Sequence, residues 1–411
     1  MGEHIGICIG NFEYLWSKNS FGDLLMLFSK EDLKITEVNE DGNVSNCYCF
    51  HTSILKAKQL LDGIGYTLKS TEKQFEICKN AILEYRYDDC DDELYNKLTN
   101  EFIYENWIAA VKKYSLILSK DRYSYKNNRY ENLYDEKQKD LTITEKIVLD
   151  SLPFGTEEYF GLPYDSINVW YVFRVILESF NNDEEILLDY SNLYYGGWSD
   201  EYPSEQEYEI EKTIILTEGK YDAIVISECM KLLYPHMCKL YSFMNFEKYK
   251  NQGSTNFVTH YFKAFISACI KNRVIALYDN DSAGLAEIDE LKKYTYPDNF
   301  KYIHLPNIEL AKHYPTIGPS GKEILNINGT ATSIELFSGK DVLTNNGELY
   351  PVRWKGFVEK TGTYQGEISY KDEIQKQFKM KYERAVNSDT LDRTQWNDMI
   401  ILLDSIFNAF N

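Results

Sequence analysis

At 411 residues the chain is too long for one comfortable hydrophobic core, so two or three domains are expected. Its 44 Lys and Arg against 64 Asp and Glu leave a formal charge of −20, which opposes indiscriminate binding to polyanions; any nucleic acid must be met by local basic residues. No stretch is long and apolar enough to span a membrane, because Ile224–Leu233 and Met399–Ile406 are short and interrupted by Glu228, Lys231 and Asp404.

The opening MGEHIGICIGNFEYL lacks the basic start and long apolar stretch of a secretory signal, so a cytoplasmic location is expected. The segment Gly6–Cys49 reads as strands with a hairpin whose turn falls at Asp41–Asn43. Cys47, Cys49 and His51 alternate onto one strand face, but no second ligand pair accompanies them, so they read as strand residues and not as a zinc site. The eight cysteines as a set show no paired spacing and read as reduced thiols. The pattern then changes to helical: a short helix over Ser53–Gly63 ending at Gly63, then longer ones within Thr71–Tyr85 and Asp91–Ser119. Lys120–Asp140 is polar, Tyr-rich and without period, a loop or mobile connection that reads as solvated surface, with a nucleic-acid contact as the lesser alternative. A helix over Trp170–Phe180 and a strand over Glu185–Tyr190 follow, with a tight turn at Gly196–Gly197; the acidic Glu201–Glu211, containing Pro203, is the best domain boundary.

Two stretches carry the chemistry. TIILTEGKYDA, Thr213–Ala223, and RVIALYDNDSAGLA, Arg273–Ala286, are continuous apolar runs of the kind buried in parallel sheets, each ending in carboxylates. Glu218, Asp279 and Asp281 thus fall at strand ends, where open α/β sheets place ligands, with Gly219 and Gly284 allowing tight turns into crossover helices over Tyr221–Leu233 and Ala283–Lys293. Two unit charges about 4 Å apart repel by roughly 4 kcal/mol at an effective dielectric near 20, so such a cluster calls for protons or a cation. Oxygen-only ligands without nearby His or Cys favour Mg²⁺ or Mn²⁺, the metals of phosphoryl transfer. Lys220, at the start of the first crossover helix, is placed to meet a phosphate. Between the two motifs, Lys239–Arg273 is basic and aromatic; Lys248, Lys250 and Arg273 are candidate contacts to a nucleic-acid backbone, although the same rings suit a core and the lysines a solvated face. The sheet is expected to end at a Pro315–Gly321 break, followed by a strand over Tyr350–Val358 and helices over Lys371–Val386 and Gln395–Phe407.

EGKYDA followed by YDNDSAG resembles the paired signature of the Toprim domain, the metal-dependent module of primases, topoisomerases and overcoming-lysogenization-defect nucleases. In that resemblance Glu218 is the family glutamate, Asp222 the acid of the EGxxD form, and Asp279, Asp281 and Gly284 the DxDxxG element. KNSFGDLL (Lys18–Leu25), LDGIGYT (Leu61–Thr67), LLDYSNLYYGGW (Leu187–Trp198), NGTATSIELF (Asn328–Phe337) and the PVRWKGF and YQGEISYK runs within Pro351–Lys371 extend the likeness to HEPN/Toprim N-terminal domain proteins. The resemblance implies an α/β fold: a Rossmann-like Toprim sheet of mainly parallel strands at 206–320, an α+β N-terminal domain at 1–205, and a C-terminal extension at 321–411 that completes or flanks the sheet. It further implies a Mg²⁺- or Mn²⁺-dependent nuclease acting on DNA or RNA in anti-phage defence, with an ATPase or other defence partner and homo-oligomerisation as accompanying expectations. Asp222 and Glu335 would serve a second cation, Glu335 being alternatively a solvent-facing acid. HEPN ribonucleases carry RxxxxH, and no arginine here is followed by histidine five positions on. A non-catalytic or primase-like Toprim module, acting as a sensor or scaffold, is the competing reading.

Overall fold

The computed structural model describes residues 2–40, 43–86, 92–120, 141–152, 158–163, 165–204, 209–244 and 255–411. The chain divides into two compact units, Met1–Glu209 with Asn411, and Ile210–Phe410.

The first unit is built on strands β1 (His4–Ile9), β2 (Phe12–Lys18), β3 (Leu33–Glu40), β4 (Asn43–Ser53) and, after helices and a small hairpin of β5 (Glu158–Tyr159) and β6 (Leu162–Pro163), β7 (Glu185–Asp189). They form one antiparallel sheet in the order β2-β1-β7-β4-β3. Alternation puts Ile5, Ile7, Ile9, Phe50, Ile186 and Leu188 into a core with Trp107 and Val111 of α4 (Tyr104–Lys120) and Trp170 and Phe173 of α6 (Val169–Leu177). Cys47, Cys49 and His51 are half-buried positions of β4, as strand alternation requires.

Two helical expectations are corrected here. The first helix, α1 (Ile54–Ile64), passes through Gly63 and stops at Gly65, whose φ of 113° is the left-handed conformation that ends helices. The long run Asp91–Ser119 breaks in two: after α2 (Leu68–Arg86) come α3 (Asp92–Glu101) and α4, because Asn106 Nδ2 and Thr144 Oγ1, from the start of α5 (Ile143–Asp150), both donate to the Glu101 carbonyl at 2.8 Å and close the first helix there. After α6 and β7 the unit ends in the short α7 (Ser191–Tyr195). Residues 121–140, most of the Tyr-rich loop, and the 41–42 turn lie outside the described residues.

The second unit holds β8 (Thr213–Leu216), α8 (Lys220–Leu233), β9 (Tyr241–Phe243), α9 (Thr255–Ser267), β10 (Val274–Tyr278), β11 (Asn280–Asp281), α10 (Ser282–Leu291) and β12 (Phe300–His304). The four longer strands pair in parallel in the order β12-β10-β8-β9, with Val274, Ile275 and Ala276 in register with Ile214, Ile215 and Leu216. All five residues of β10 are buried, which is why the run reads as uniformly apolar instead of alternating. The α/β class, with a parallel sheet and an antiparallel α+β N-terminal unit, is as expected. Within the described part of the aromatic stretch, Phe257 and Phe262 of α9 are core and pack with Val274 and Tyr278.

A second sheet in this unit comprises β13 (Tyr314–Gly318), β14 (Gly321–Leu325), β18 (Val352–Val358) and β19 (Thr363–Ile368), in the order β14-β13-β18-β19. Between them lie β15 (Ala331–Thr332), a 3₁₀ turn over Ile334–Ser338, and the small hairpin of β16 (Thr344–Asn345) and β17 (Glu348–Leu349); α11 (Lys371–Val386) and α12 (Asn397–Phe407) close the chain. Pro315–Gly321 is therefore strand and turn, not a break. Pro315 fits because pairing to β18 begins only at Thr316, so its missing N–H costs no ladder bond on that side.

Candidate active site

The sequence sends β8 through α8 to β9 on one side and β10 through α10 to β12 on the other, so the carboxyl ends of the adjacent strands β8 and β10 form a topological switch point. Glu218 leaves β8 there and Asp279 leaves β10. They meet directly, Asp279 N donating to Glu218 Oε1 at 2.9 Å. Asp222, in the first turn of α8, accepts from Gly219 N at 2.8 Å. Asp281 caps α10, its Oδ1 accepting from Gly284 N at 2.8 Å, and its Oδ2 accepts from Gln365 Nε2 of β19. Glu335 arrives from the 3₁₀ turn and is 4% exposed, so it is a buried acid and not a solvent-facing one. It accepts from Ser333 Oγ at 2.6 Å and Gln375 Nε2 at 3.4 Å, with Lys371 Nζ 3.9 Å away. Glu218, Asp222 and Asp279 also line a cavity of about 10 Å³, near the size of one water.

The five acids share one electrostatic environment. Burial, and then Glu218, Asp222, Asp281 and Glu335, push the Asp279 carboxyl well above the usual range. Burial and then Glu335 raise Asp222 to about 7, with Glu218 adding to the shift and the Gly219 N–H and Lys371 opposing it. For Lys371 burial disfavours the charge, but Glu335, Glu367 and Asp279 outweigh it and its value is raised. Negative charge crowded into a desolvated site in this way is what a cation would relieve. The donor set is oxygen only, which suits a hard divalent ion. Among the described residues no three His, Cys, Asp or Glu side chains stand together as a ready metal-holding group. Glu218, Asp222, Asp281 and Glu335 each accept a hydrogen bond from a protein donor, and an oxygen that accepts one keeps a lone pair for a cation, so the chemistry fits a divalent ion.

Other sequence candidates are placed differently. Lys220 is exposed at the start of α8, beside Gly219. Lys248 and Lys250 lie outside the described residues. Arg273 precedes β10, six residues and therefore about 20 Å of strand from Asp279. It is not brought to the acids; its guanidinium stacks 4.6 Å from the Phe410 ring centroid. Gln365, Gln375, Lys371 and Ser333 touch the acids and escaped the sequence reading; the Gln365 and Gln375 contacts span 84 and 40 residues and leave no local pattern, whereas Ser333 lies two residues from Glu335.

The two glycines differ. A Cβ on Gly284 would lie 2.2 Å from the Asp279 carbonyl oxygen, so the start of α10 can approach Asp279 only as glycine. Gly219 has φ −145° and a Cβ there would meet nothing closer than Asp222 Oδ2 at 3.5 Å, so the turn does not demand glycine. Thermal melts should accordingly show Gly284→Ala losing about 1–3 kcal/mol, as overpacking typically does, with Gly219→Ala within about 0.5 kcal/mol of wild type. Equal stability of the two variants would contradict the close approach.

Residues 1–213 match the family model described as HEPN/Toprim N-terminal domain 1. No curated protein and no solved structure matches the chain. The matched segment takes in the whole antiparallel sheet and its helices and ends at the first residue of β8, while the five acids lie beyond it. Covering just over half of the 411 residues, the match shows that the chain belongs to the HEPN/Toprim N-terminal domain family.

Proposed function

We propose that the chain is a Mg²⁺- or Mn²⁺-dependent Toprim nuclease that hydrolyses phosphodiester bonds of DNA or RNA. The observation that carries the reading is the gathering of five acids from two strand ends, a helix turn and a 3₁₀ turn at one switch point, where burial and then neighbouring acids push Asp279 and Asp222 up. In this reading Asp279 and Asp281 hold one cation, which Glu218 shares or beside which it serves as general acid/base; Asp222 and Glu335 hold a second. The ions, when bound, supply Lewis acidity to the attacking water and charge relief at the leaving oxygen. The chain's own residues do the rest: the Asp279 N–H orients Glu218, Lys371 offsets the charge of Glu335, and Lys220 meets phosphate at the start of α8.

The division into 1–205, 206–320 and 321–411 is proposed as well, with catalysis centred in the middle segment and Glu335 contributed from the last. So are action in the cytoplasm, as a single chain or a homo-oligomer, and a role in anti-phage defence with an ATPase or other partner. The −20 charge supports restraint of this kind, since a polyanion approaches productively only once a partner supplies positive surface. No helix among the described residues is long and apolar enough to cross a membrane. The sensor or scaffold reading keeps one observation on its side, the lack of a ready ligand group among the described residues.

Incubating the purified chain with labelled DNA and tRNA, with Mg²⁺, Mn²⁺ or EDTA, separates the two. Cleavage that needs the metal and is absent in Asp279→Ala supports the nuclease. Metal binding without turnover under every condition supports the sensor, and cleavage by Asp279→Ala at the wild-type rate would remove Asp279 from the mechanism.

A further inference from the structure

The orientation of Asp281 is set partly by a distant strand. Gln365 of β19 reaches across with both ends of its amide: Nε2 donates to Asp281 Oδ2, and Oε1 accepts from Ala283 N at 3.0 Å. A backbone N–H only donates and an ionised carboxylate only accepts, so these two partners fix which end of the amide faces which. The same stretch is stitched to the start of α10 twice more, by Ser282 Oγ with Thr363 Oγ1 at 2.8 Å and with the Tyr364 carbonyl at 3.0 Å. Those two contacts hold the strand against the helix. Only the Gln365 contact reaches a carboxylate of the cluster.

We propose that Gln365 is a positioning residue of this site, holding one oxygen of Asp281 while Gly284 N–H holds the other, and thereby setting the site's affinity for a divalent cation. The inference rests on the metal-binding reading above. Each carboxylate oxygen has two lone pairs, so a hydrogen bond to each still leaves both able to meet a cation. What the two donors remove is rotation. With Gln365 gone, Asp281 turns about its single remaining contact, and binding a cation must then order it. Partners of this kind behind a metal ligand typically contribute about 10–100-fold in metal affinity.

The test is Mn²⁺ binding, read as free Mn²⁺ by electron paramagnetic resonance, on wild type, Gln365→Met, Gln365→Ala, Thr363→Val and Asp281→Asn, with thermal melts to verify folding. Gln365→Met keeps the length and loses both polar ends; Gln365→Ala supports it if the methionine variant fails to fold. Both are expected to bind Mn²⁺ about 10–100-fold more weakly and to raise the Mg²⁺ concentration for half-maximal cleavage by a like factor, leaving the rate at saturating Mg²⁺ within about threefold. Thr363→Val, which loses a strand contact but not the Asp281 contact, is expected to bind as wild type does. Affinity within about twofold of wild type in the Gln365 variants, or an equal loss in Thr363→Val, overturns the positioning role. Undiminished Mn²⁺ binding by Asp281→Asn would instead strike the metal-binding reading itself.

Discussion

Asp279→Asn is expected to eliminate metal-dependent cleavage and, in metal-free buffer, to make the protein more stable than wild type. The carboxyl of Asp279 is pushed up first by burial and then by four other acids, so its charge is costly in the folded state when no cation is bound. Asparagine keeps the shape and removes the charge. The backbone N–H that orients Glu218 is untouched. Removing a metal ligand forfeits several kcal/mol of transition-state charge stabilisation, and about 4 kcal/mol is roughly a thousandfold in rate. The gain in metal-free stability should be on the order of 1 kcal/mol, or about 2–4 °C in melting temperature for a unit of this size. Cleavage within tenfold of wild type, or a lowered melting temperature in EDTA, would contradict this account of Asp279.

The second large effect is on pH. Asp222 moves from 3.8 to about 7 on folding, so the folded chain holds this proton more tightly than the unfolded one. The resulting stabilisation is fully present below about pH 4 and is lost as pH rises through 7; Asp279, raised by burial and the same neighbours, acts in the same direction. At 1.36 kcal/mol per unit, the two units between pH 5 and 7 amount to roughly 3 kcal/mol at most. Melts in EDTA should therefore show stability falling from pH 5 to 8, and Asp222→Asn should flatten the fall, which separates this acid from the general relief of repulsion in a chain of charge −20. A cation must displace the same protons, so Mn²⁺ affinity should climb over that range. Wild type and Asp222→Asn with parallel pH profiles would remove Asp222 from the cluster.

The sheet and its acids were legible in the sequence because one physical fact writes both. A strand buried on both faces reads as an unbroken apolar run, as in TIIL and VIALY, and the polar residues that follow mark its carboxyl end. Gly284 was legible for a different reason than its partner: packing against Asp279 demands it, whereas Gly219 sits in backbone open to other residues. What was illegible depends on distant partners. Nothing near Glu101 announces that Thr144, 43 residues on, will help end a helix there, and nothing near Asp281 announces Gln365. Glu335 was visible as an acid on a short turn, but its burial follows from Ser333, Lys371 and Gln375 closing over it. Arg273 shows how little sequence position says about distance from the site. It is a candidate nucleic-acid contact by its place in a basic, aromatic segment, and the length of β10 separates it from the acids.

The central claim is that these five carboxylates gather around a divalent cation, and a crystal grown with Mn²⁺ and a short uncleavable oligonucleotide tests it most directly. The account predicts an anomalous peak at the carboxyl ends of β8 and β10, about 2.1 Å from oxygens of Asp279 and Asp281 with Glu218 alongside, and a phosphate oxygen completing the shell. A bound oligonucleotide with no Mn²⁺ at those carboxylates, or Mn²⁺ held by other residues, would contradict it.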